Sequence, residues 1–196
     1  YIYSIIGTDE YGNSIVVSED GGYVFTGSIS DNGGELLIGK INNEGQEEWI
    51  RKINNRDLTI GEYISKTNDN GYIITGWSYY DNVGFGYLLK TDSEGNTIWE
   101  KYFDIELGNY DSGNCVQQTN DNGYIVVGTS TNQSGVHTFS GISLIKFSSD
   151  GVEEWRNSLS SSGNSDDGNS VLQTLDKGFF VTGSYEGKTL LMKTII

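Results

Sequence analysis

A short stretch of the sequence carries aromatic side chains around an Asp-Asn pair, which is the composition of a ligand-binding surface. Aromatic rings beside carboxylate and amide groups can stack on sugar rings or anchor a protein partner. Trp77 is also the one tryptophan outside a position that recurs along the chain, so packing of a common core does not require it. The alternative is that Trp77 and Phe85 merely cover the edge of a sheet. The candidate residues here are Trp77, Tyr79, Tyr80, Asp81 and Phe85.

His137 is the only histidine and the sixth candidate ligand-binding residue. It lies in the polar segment Thr129–Gly141, where a merely solvated side chain is the alternative. Nucleophilic catalysis needs a base beside a serine or cysteine, and no such motif surrounds the single Cys115. The sequence therefore predicts no enzyme and no cofactor. A glycan-active enzyme remains an alternative, because two facing carboxylates could hydrolyse a glycosidic bond.

The charge balance bears on the class of partner. The net charge of −15 at pH 7 disfavours nucleic acid and anionic membranes, which would be repelled. No apolar run approaches the roughly 20 residues that a membrane-spanning helix needs. We therefore expect no nucleic-acid binding and no membrane insertion. Asp92-Ser-Glu-Gly-Asn96 lacks the full ligand spacing of a calcium loop, so no metal is expected.

These candidate residues sit on a repeat that fills the chain. Each unit opens with an anchor glycine, at Gly12, Gly61, Gly113 and Gly168. Eight residues later comes an Asp-x-Gly-aromatic turn, beginning at Asp20, Asp69, Asp121 and Asp176. A lysine then closes an apolar run, at Lys40, Lys90, Lys146 and Lys193. In three units a Gly-x-x-x-Trp segment follows, with Trp49, Trp99 and Trp155. We expect each lysine to pair with an acidic neighbour, and the tryptophans to fill gaps between units.

Each unit contains four runs rich in Ile, Val, Tyr and Thr, and Asp, Asn and Gly separate the runs. Such runs indicate strands joined by hairpins, and a repeat period near 50 residues is typical of propeller blades. The last unit ends before its fourth run, whereas Tyr1–Ile6 precedes the first anchor with Tyr1 at the tryptophan position. The sequence thus predicts an all-β chain, a four-bladed β-propeller with four antiparallel strands per blade, in which the N-terminal strand closes the last blade. The predicted propeller is one domain, residues 1–196. Its blades are 12–53, 61–104, 113–159 and 168–196 together with 1–6. The alternative is that the chain is a piece of a longer propeller.

Length variation falls on one face of the predicted ring. The first-to-second and third-to-fourth turns keep their lengths, whereas the second-to-third connection spans 13, 14, 18 and 10 residues from glycine to lysine. Loops on a rigid scaffold commonly carry function, so we expect the variable face to bind. Neutral drift in solvated loops is the alternative.

The repeat resembles bacterial and archaeal β-propeller repeats of the SBBP type. The resemblance lies in Gly12–Gly27 and the similar Gly113–Gly128 and Gly168–Gly183, in Leu-Ile-Lys at 144–146, and in the Gly-x-x-x-Trp segments. This resemblance implies an extracellular or cell-surface protein without catalysis, and it transfers no functional residues. We therefore expect a non-catalytic protein-binding or structural scaffold, with a protein partner or self-assembly. A carbohydrate-binding module that uses Trp77, Tyr79 and Tyr80 is the alternative.

Overall fold

The described part of the chain consists of antiparallel strands and the turns between them. The computed structural model describes residues 9–30, 34–53, 57–104, 110–134, 137–161 and 165–194. Within these ranges 15 strands form four sheets, of four, four, four and three strands, and there is no helix. No helix in this part of the chain could therefore span a membrane. The all-β prediction is confirmed.

Each sheet is a meander of strands that follow one another in the chain. The first sheet contains β1 (Glu10–Val17), β2 (Tyr23–Ile29), β3 (Glu35–Ile41) and β4 (Glu47–Ile53). The second contains β5 (Leu58–Lys66), β6 (Tyr72–Tyr80), β7 (Val83–Thr91) and β8 (Thr97–Phe103). The third contains β9 (Tyr110–Gln118), β10 (Tyr124–Ser134), β11 (His137–Phe147) and β12 (Glu153–Ser160). The fourth contains β13 (Asp167–Gln173), β14 (Phe179–Tyr185) and β15 (Lys188–Thr194).

The repeated Asp-x-Gly turn forms because its aspartate holds the backbone. Asp69 Oδ1 accepts hydrogen bonds from the Thr67 hydroxyl and from the Gly71 amide, the latter at 3.2 Å. Asn70 between them has a φ of 64°, in the left-handed region that asparagine tolerates. In the other three units the glycine amide likewise donates to the aspartate Oδ1. This turn therefore fixes the first hairpin of every sheet in the same register.

The variable connections of the second and third sheets are extended hairpins rather than the predicted loops. In the second sheet β6 and β7 remain paired up to Tyr80 and Val83, around a two-residue turn at Asp81 and Asn82. Those two residues have φ values of 50° and 63°, which suit the tight turn that matches strand twist. In the third sheet the pairing continues to Ser134 and His137. The difference in length between these two connections is thus a difference in hairpin length.

The core lies between the sheets, where the first strand of each sheet packs on the preceding sheet. One cluster joins Val24, Leu36 and Ile38 of the first sheet to Ile64 and Ile74 of the second. The recurring tryptophans close the same gaps. Trp99 packs edge-on against Tyr124 of the next sheet at a centroid distance of 5.7 Å, and Trp155 lies 5.9 Å from Phe179. The interpretation of these tryptophans as fillers between units is confirmed.

The recurring lysines are structural as well. Lys40, Lys90, Lys146 and Lys193 pair with the turn aspartates of their own sheets, Asp20, Asp69, Asp121 and Asp176. Lys90 is buried, and its amine also donates to the Thr91 carbonyl at 2.7 Å. Each lysine therefore ties the third strand to the turn between the first and second strands. The predicted acidic partner is present in every unit.

Tyr1–Ile6, the predicted fourth strand of the last sheet, lies outside the described residues. In the described part, the fourth sheet has three strands. Extensive packing links each sheet to the next one along the chain. The outer surfaces of the first and fourth sheets remain exposed, for example at Ile15 and Leu191.

Candidate functional site

Trp77 and Tyr79 share one face of the β6–β7 hairpin, because alternate residues of a strand point the same way. Their cross-strand neighbours on β7 are Gly86 and Gly84. Neither glycine has a side chain to cover the rings from that side. Two aromatic rings are therefore presented on a rigid hairpin, both half-buried.

Contacts with neighbouring elements hold both rings. The Trp77 indole Nε1 donates to Glu62 Oε1 of β5 at 3.1 Å. The Tyr79 ring stacks on Tyr110 at the start of β9, with centroids 6.1 Å apart and planes 5° from parallel. Loss of water contact and the interaction with Tyr110 raise the pKa of Tyr79, so its phenol stays neutral at physiological pH. The site thus spans the contact between the second and third sheets.

Two clefts flank the Trp77 ring. A cleft of about 380 Å³ between the second and third sheets is lined by Trp77, Tyr110, Asn114, Thr131 and Asp167 among others. A cleft of about 330 Å³ between the first and second sheets is lined by Trp77 together with Tyr11, Asn13, Ser30 and Glu62. Both clefts open on the edge of the sheets where the hairpin lengths vary. Trp77 is the residue that they share.

Part of the polar lining is already engaged in joining the sheets. Asn114 Nδ2 donates to the Gly168 carbonyl at 2.8 Å and to Thr129 Oγ1 at 2.9 Å, while Asn114 Oδ1 accepts from the Ser112 hydroxyl. Asp111 in the same cleft is buried. Asp167, of the fourth sheet, is half-buried and also lines this cleft. A ligand here would therefore meet aromatic surface with a small number of fixed polar groups.

The remaining candidates do not join this aromatic pair. Tyr80 and Phe85 occupy the opposite face of the hairpin, where Phe85 lies across from Ser78. Tyr80 is exposed and Phe85 is half-buried. Asp81 lies in the turn, and its amide faces Asp57 Oδ2 at 3.4 Å. The hairpin thus separates the predicted cluster into two aromatic faces.

His137 lies on another hairpin. It begins β11 in the third sheet, and its backbone is paired with Ser134. Its side chain lies outside what the structure describes. His137 therefore shares the variable edge with Trp77 without sharing its hairpin.

Sequence reasoning missed Glu62, Asn114 and Tyr110, although Glu62 carried a signal. The residue after the anchor glycine is asparagine in the other three units, at Asn13, Asn114 and Asn169. The second unit therefore departs from the repeat twice, at Glu62 and at Trp77, and these two side chains are hydrogen-bonded to each other. Tyr110 precedes its anchor glycine at a position with no recurring residue type, so its stacking on Tyr79 depends on tertiary packing.

The acidic turns on the opposite edge do not converge. Among the described residues, no group of three or more His, Cys, Asp or Glu side chains is arranged to hold a metal ion. The turn aspartates are instead engaged by their own backbone turns and lysines.

Comparison with known proteins adds little. No protein-family model matches the chain, and no curated protein matches it. Solved structures do match, among them a hypothetical protein from Leishmania major. The two chains share 8% identical residues, the alignment covers 94% of this chain and 84% of the other, and the TM-score is 0.36. A likeness at this level indicates nothing about the function of this chain.

Proposed function

We propose that the chain is a non-catalytic binding scaffold of the β-propeller type, extracellular or displayed on a cell surface, which docks a protein partner through its variable edge. The observation that carries the proposal is the Trp77–Glu62 pair. Both residues depart from the repeat, and both lie at the edge where the hairpins differ in length. A pair that the common packing does not need is better explained by recognition of a partner.

The surroundings of the pair suit an anchor for a protein. Tryptophan and tyrosine dominate the energetic centres of protein interfaces, because each buries a large area with little loss of conformational freedom. Trp77 and Tyr79 are already positioned by Glu62 and Tyr110. Binding would then cost little ordering of these side chains, which favours affinity. Tyr80 is exposed on the other face of the hairpin, apart from this pair.

We include in the proposal the four blades expected from the sequence, with Tyr1–Ile6 as the outer strand of the last. The four consecutive sheets and their repeated packing support reading them as blades. A ring made by one chain would require the first and fourth sheets to pack as neighbours do. In the described residues, the outer faces of these two sheets are exposed instead, at Ile15 and Leu191.

Capture by the immobilised protein tests the binding proposal. Trp77→Ser and Tyr79→Ser remove the anchor from one end of the second sheet. Ile98→Ser is the matched control, because Ile98 is an exposed apolar residue at the opposite end of the same sheet. We expect a partner captured by the wild type and by Ile98→Ser to be reduced at least tenfold by Trp77→Ser. Equal capture by all variants would show that this edge is not the binding surface.

A carbohydrate ligand is the second candidate, and the cleft between the second and third sheets favours it. Aromatic rings of Trp77 and Tyr110 stand there beside the polar side chains of Asn114 and Asp167. A glycan array would show binding that Trp77→Ser abolishes and Ile98→Ser retains. An array without signal above background would remove this candidate and leave the protein partner.

A further inference from the structure

The three contacts between neighbouring sheets repeat one close approach. The anchor glycine of each later sheet lies against a small or branched side chain of the sheet before it. A Cβ on Gly61 would come within 2.2 Å of Thr26 Oγ1, and one on Gly113 within 1.9 Å of Thr75 Oγ1. A Cβ on Gly168 would come within 2.5 Å of Val127 Cγ2. The glycine is needed at this position because a neighbouring sheet packs there.

The first sheet carries this same glycine with nothing against it. A Cβ on Gly12 would meet no atom within 4 Å. Ile15, three residues on, is 58% exposed, whereas its counterparts Ile64, Val116 and Val171 are at most 1% exposed. The first sheet therefore presents the surface that every later sheet buries. We call this the head face, and define it by Gly12, Ile15 and Val17.

The fourth sheet presents the opposite half of the contact. Leu191 is 69% exposed, whereas its counterparts Ile38, Leu88 and Leu144 are at most 2% exposed. Thr182 holds the position of Thr26 and Thr75 and is exposed. Phe180, Thr182 and Leu191 line a shallow apolar cleft. We call this the tail face, and define it by Leu175, Thr182 and Leu191.

One pair of positions indicates that the head face and the tail face fit each other. Every internal contact contains an ion pair or hydrogen bond between two fixed positions. One is the residue just before the turn aspartate of a sheet, and the other is the last residue of the first strand in the next sheet. Glu19 and Lys66 form an ion pair, and the backbone amides of Asn68 and Asn120 donate to Oε1 of Gln118 and Gln173, so that all six residues are polar. The same positions on the tail and head faces hold Leu175 and Val17, and both are exposed. Both partners of this fourth pair are apolar, as expected if Leu175 packs on Val17.

A hydrogen-bonding position extends the match. Asn13 Nδ2 donates to the Gly61 carbonyl at 2.9 Å, and Asn114 Nδ2 to the Gly168 carbonyl at 2.8 Å. Asn169 is the corresponding residue of the fourth sheet, and it is exposed. Its counterpart acceptor across a fourth contact would be the carbonyl of Gly12.

We propose that the tail face binds the head face of a second copy of this chain, so that copies associate head to tail through the same contact that joins their own sheets. This assembly leaves the three internal contacts as they are. Bringing the two faces of one chain together would instead require all three buried contacts to repack, and close-packed interiors resist such changes. Two copies of four sheets can close into one ring of eight blades, a number that known propellers have. Such a ring leaves neither a head face nor a tail face exposed.

Disulfide trapping between single-cysteine variants tests the proposal. Val17→Cys and Leu175→Cys alter exposed residues, so both are expected to fold, and the native Cys115 is buried. After mild oxidation, the mixture of the two variants should form a disulfide-linked dimer at least tenfold more than either variant alone. Glu19→Cys with Lys66→Cys in one chain is the matched control, because these residues are already paired at the equivalent internal position. No dimer from the mixture, with the control disulfide formed, would overturn the proposal.

The double variant Val17→Cys/Leu175→Cys distinguishes a second copy from closure within one chain. Linked dimers or a two-chain ring would support the proposal. A monomer with an internal disulfide would overturn it and establish a four-bladed ring made by one chain. Sedimentation gives a readout without cysteines: Leu175→Glu should weaken self-association at least tenfold, and adding Val17→Lys should restore part of it by recreating the Glu19–Lys66 pairing. Self-association that Leu175→Glu leaves unchanged would count against these faces. None of these results depends on Trp77, so failure here would leave the proposed binding function standing.

Discussion

Thr75 and Gly113 meet across the contact between the second and third sheets with no room for a side chain at residue 113. A Cβ there would lie 1.9 Å from Thr75 Oγ1. This close approach lets β9 lie against β6 and bury Val116 with Ile73 and Leu88. The glycine is a packing requirement and not a conformational one, because its φ is not positive.

Gly113→Ala should therefore destabilise the protein by about 1–3 kcal/mol, since the added methyl forces apart two packed sheets. Gly12→Ala is the matched control, because its Cβ would meet open space. Urea denaturation of the isolated chain should leave Gly12→Ala within about 0.5 kcal/mol of the wild type. If the two substitutions cost the same, the close approach does not govern stability.

The turn aspartates should differ in importance according to how deeply their lysines lie. The Lys90 side chain is 4% exposed, and the Lys193 side chain is 40% exposed. Asp69→Ala leaves a buried ammonium with a backbone carbonyl as its remaining acceptor, and should cost about 2–3 kcal/mol more than Asp176→Ala. Both substitutions remove the same turn hydrogen bonds, so the difference reports the buried charge. Equal losses in thermal or urea denaturation would contradict this explanation.

Acid should destabilise the protein through these same aspartates. Burial raises the pKa of Asp121, but hydrogen bonds from Thr119, Lys146 and the Gly123 amide outweigh burial and lower it to about 2. The hydrogen bonds from Lys193 and Thr174 lower the pKa of Asp176 to about 2 as well. Because a free aspartate has a pKa near ~3.9, the folded state binds fewer protons than the unfolded state between these values. The stabilisation is fully present above about pH 4 and is lost as the pH falls towards about 2.

Denaturation at a series of pH values measures this loss. The free energy of unfolding should fall below about pH 4, and Asp121→Asn should fall less steeply, since it lacks one of the groups that titrate. Parallel curves for the variant and the wild type would show that Asp121 does not contribute.

Replacing Glu62 should weaken partner binding without lowering the free energy of unfolding. Glu62→Asn restores the residue found in the other units, and in two of them Asn13 and Asn114 donate to the carbonyl of the next anchor glycine. We expect the free energy of unfolding to be unchanged or to rise by up to about 1 kcal/mol, from the new hydrogen bond to Gly113. Partner capture should fall, because the Trp77 indole loses its acceptor. A variant that is less stable and still captures the partner would contradict the assignment of Glu62 to the site.

Much of the fold could be predicted because the turn chemistry repeats. The Asp-x-Gly turns, the lysine pairs and the tryptophan positions are each determined by a few neighbouring residues, and the structure shows all of them. The connection at 77–86 was predicted wrongly as a loop. The left-handed Asp81-Asn82 turn allows the strands to continue, and a composition of tyrosine with polar residues did not reveal it.

The site was predictable only in part, because its geometry depends on neighbouring sheets. The departure of Trp77 from the repeat predicts it as a site residue, whereas the departure of Glu62 from the asparagine of the other units was missed. The stacking of Tyr79 on Tyr110 joins residues of two sheets, which no local pattern encodes. Tyr80 and Phe85 lie on the other face from Trp77 because side chains alternate along a strand. A loop at 77–86 would not impose this alternation.

Hydrogen–deuterium exchange of the protein with its captured partner tests whether the variable edge is the binding surface. We expect the partner to slow exchange at that edge, in the β6–β7 hairpin and at the start of β9 near Tyr110. The turns at 92–96 and 148–151, on the opposite edge, should exchange as in the free protein. Protection confined to those turns, with the β6–β7 hairpin unchanged, would contradict the claim that the variable edge is the binding surface.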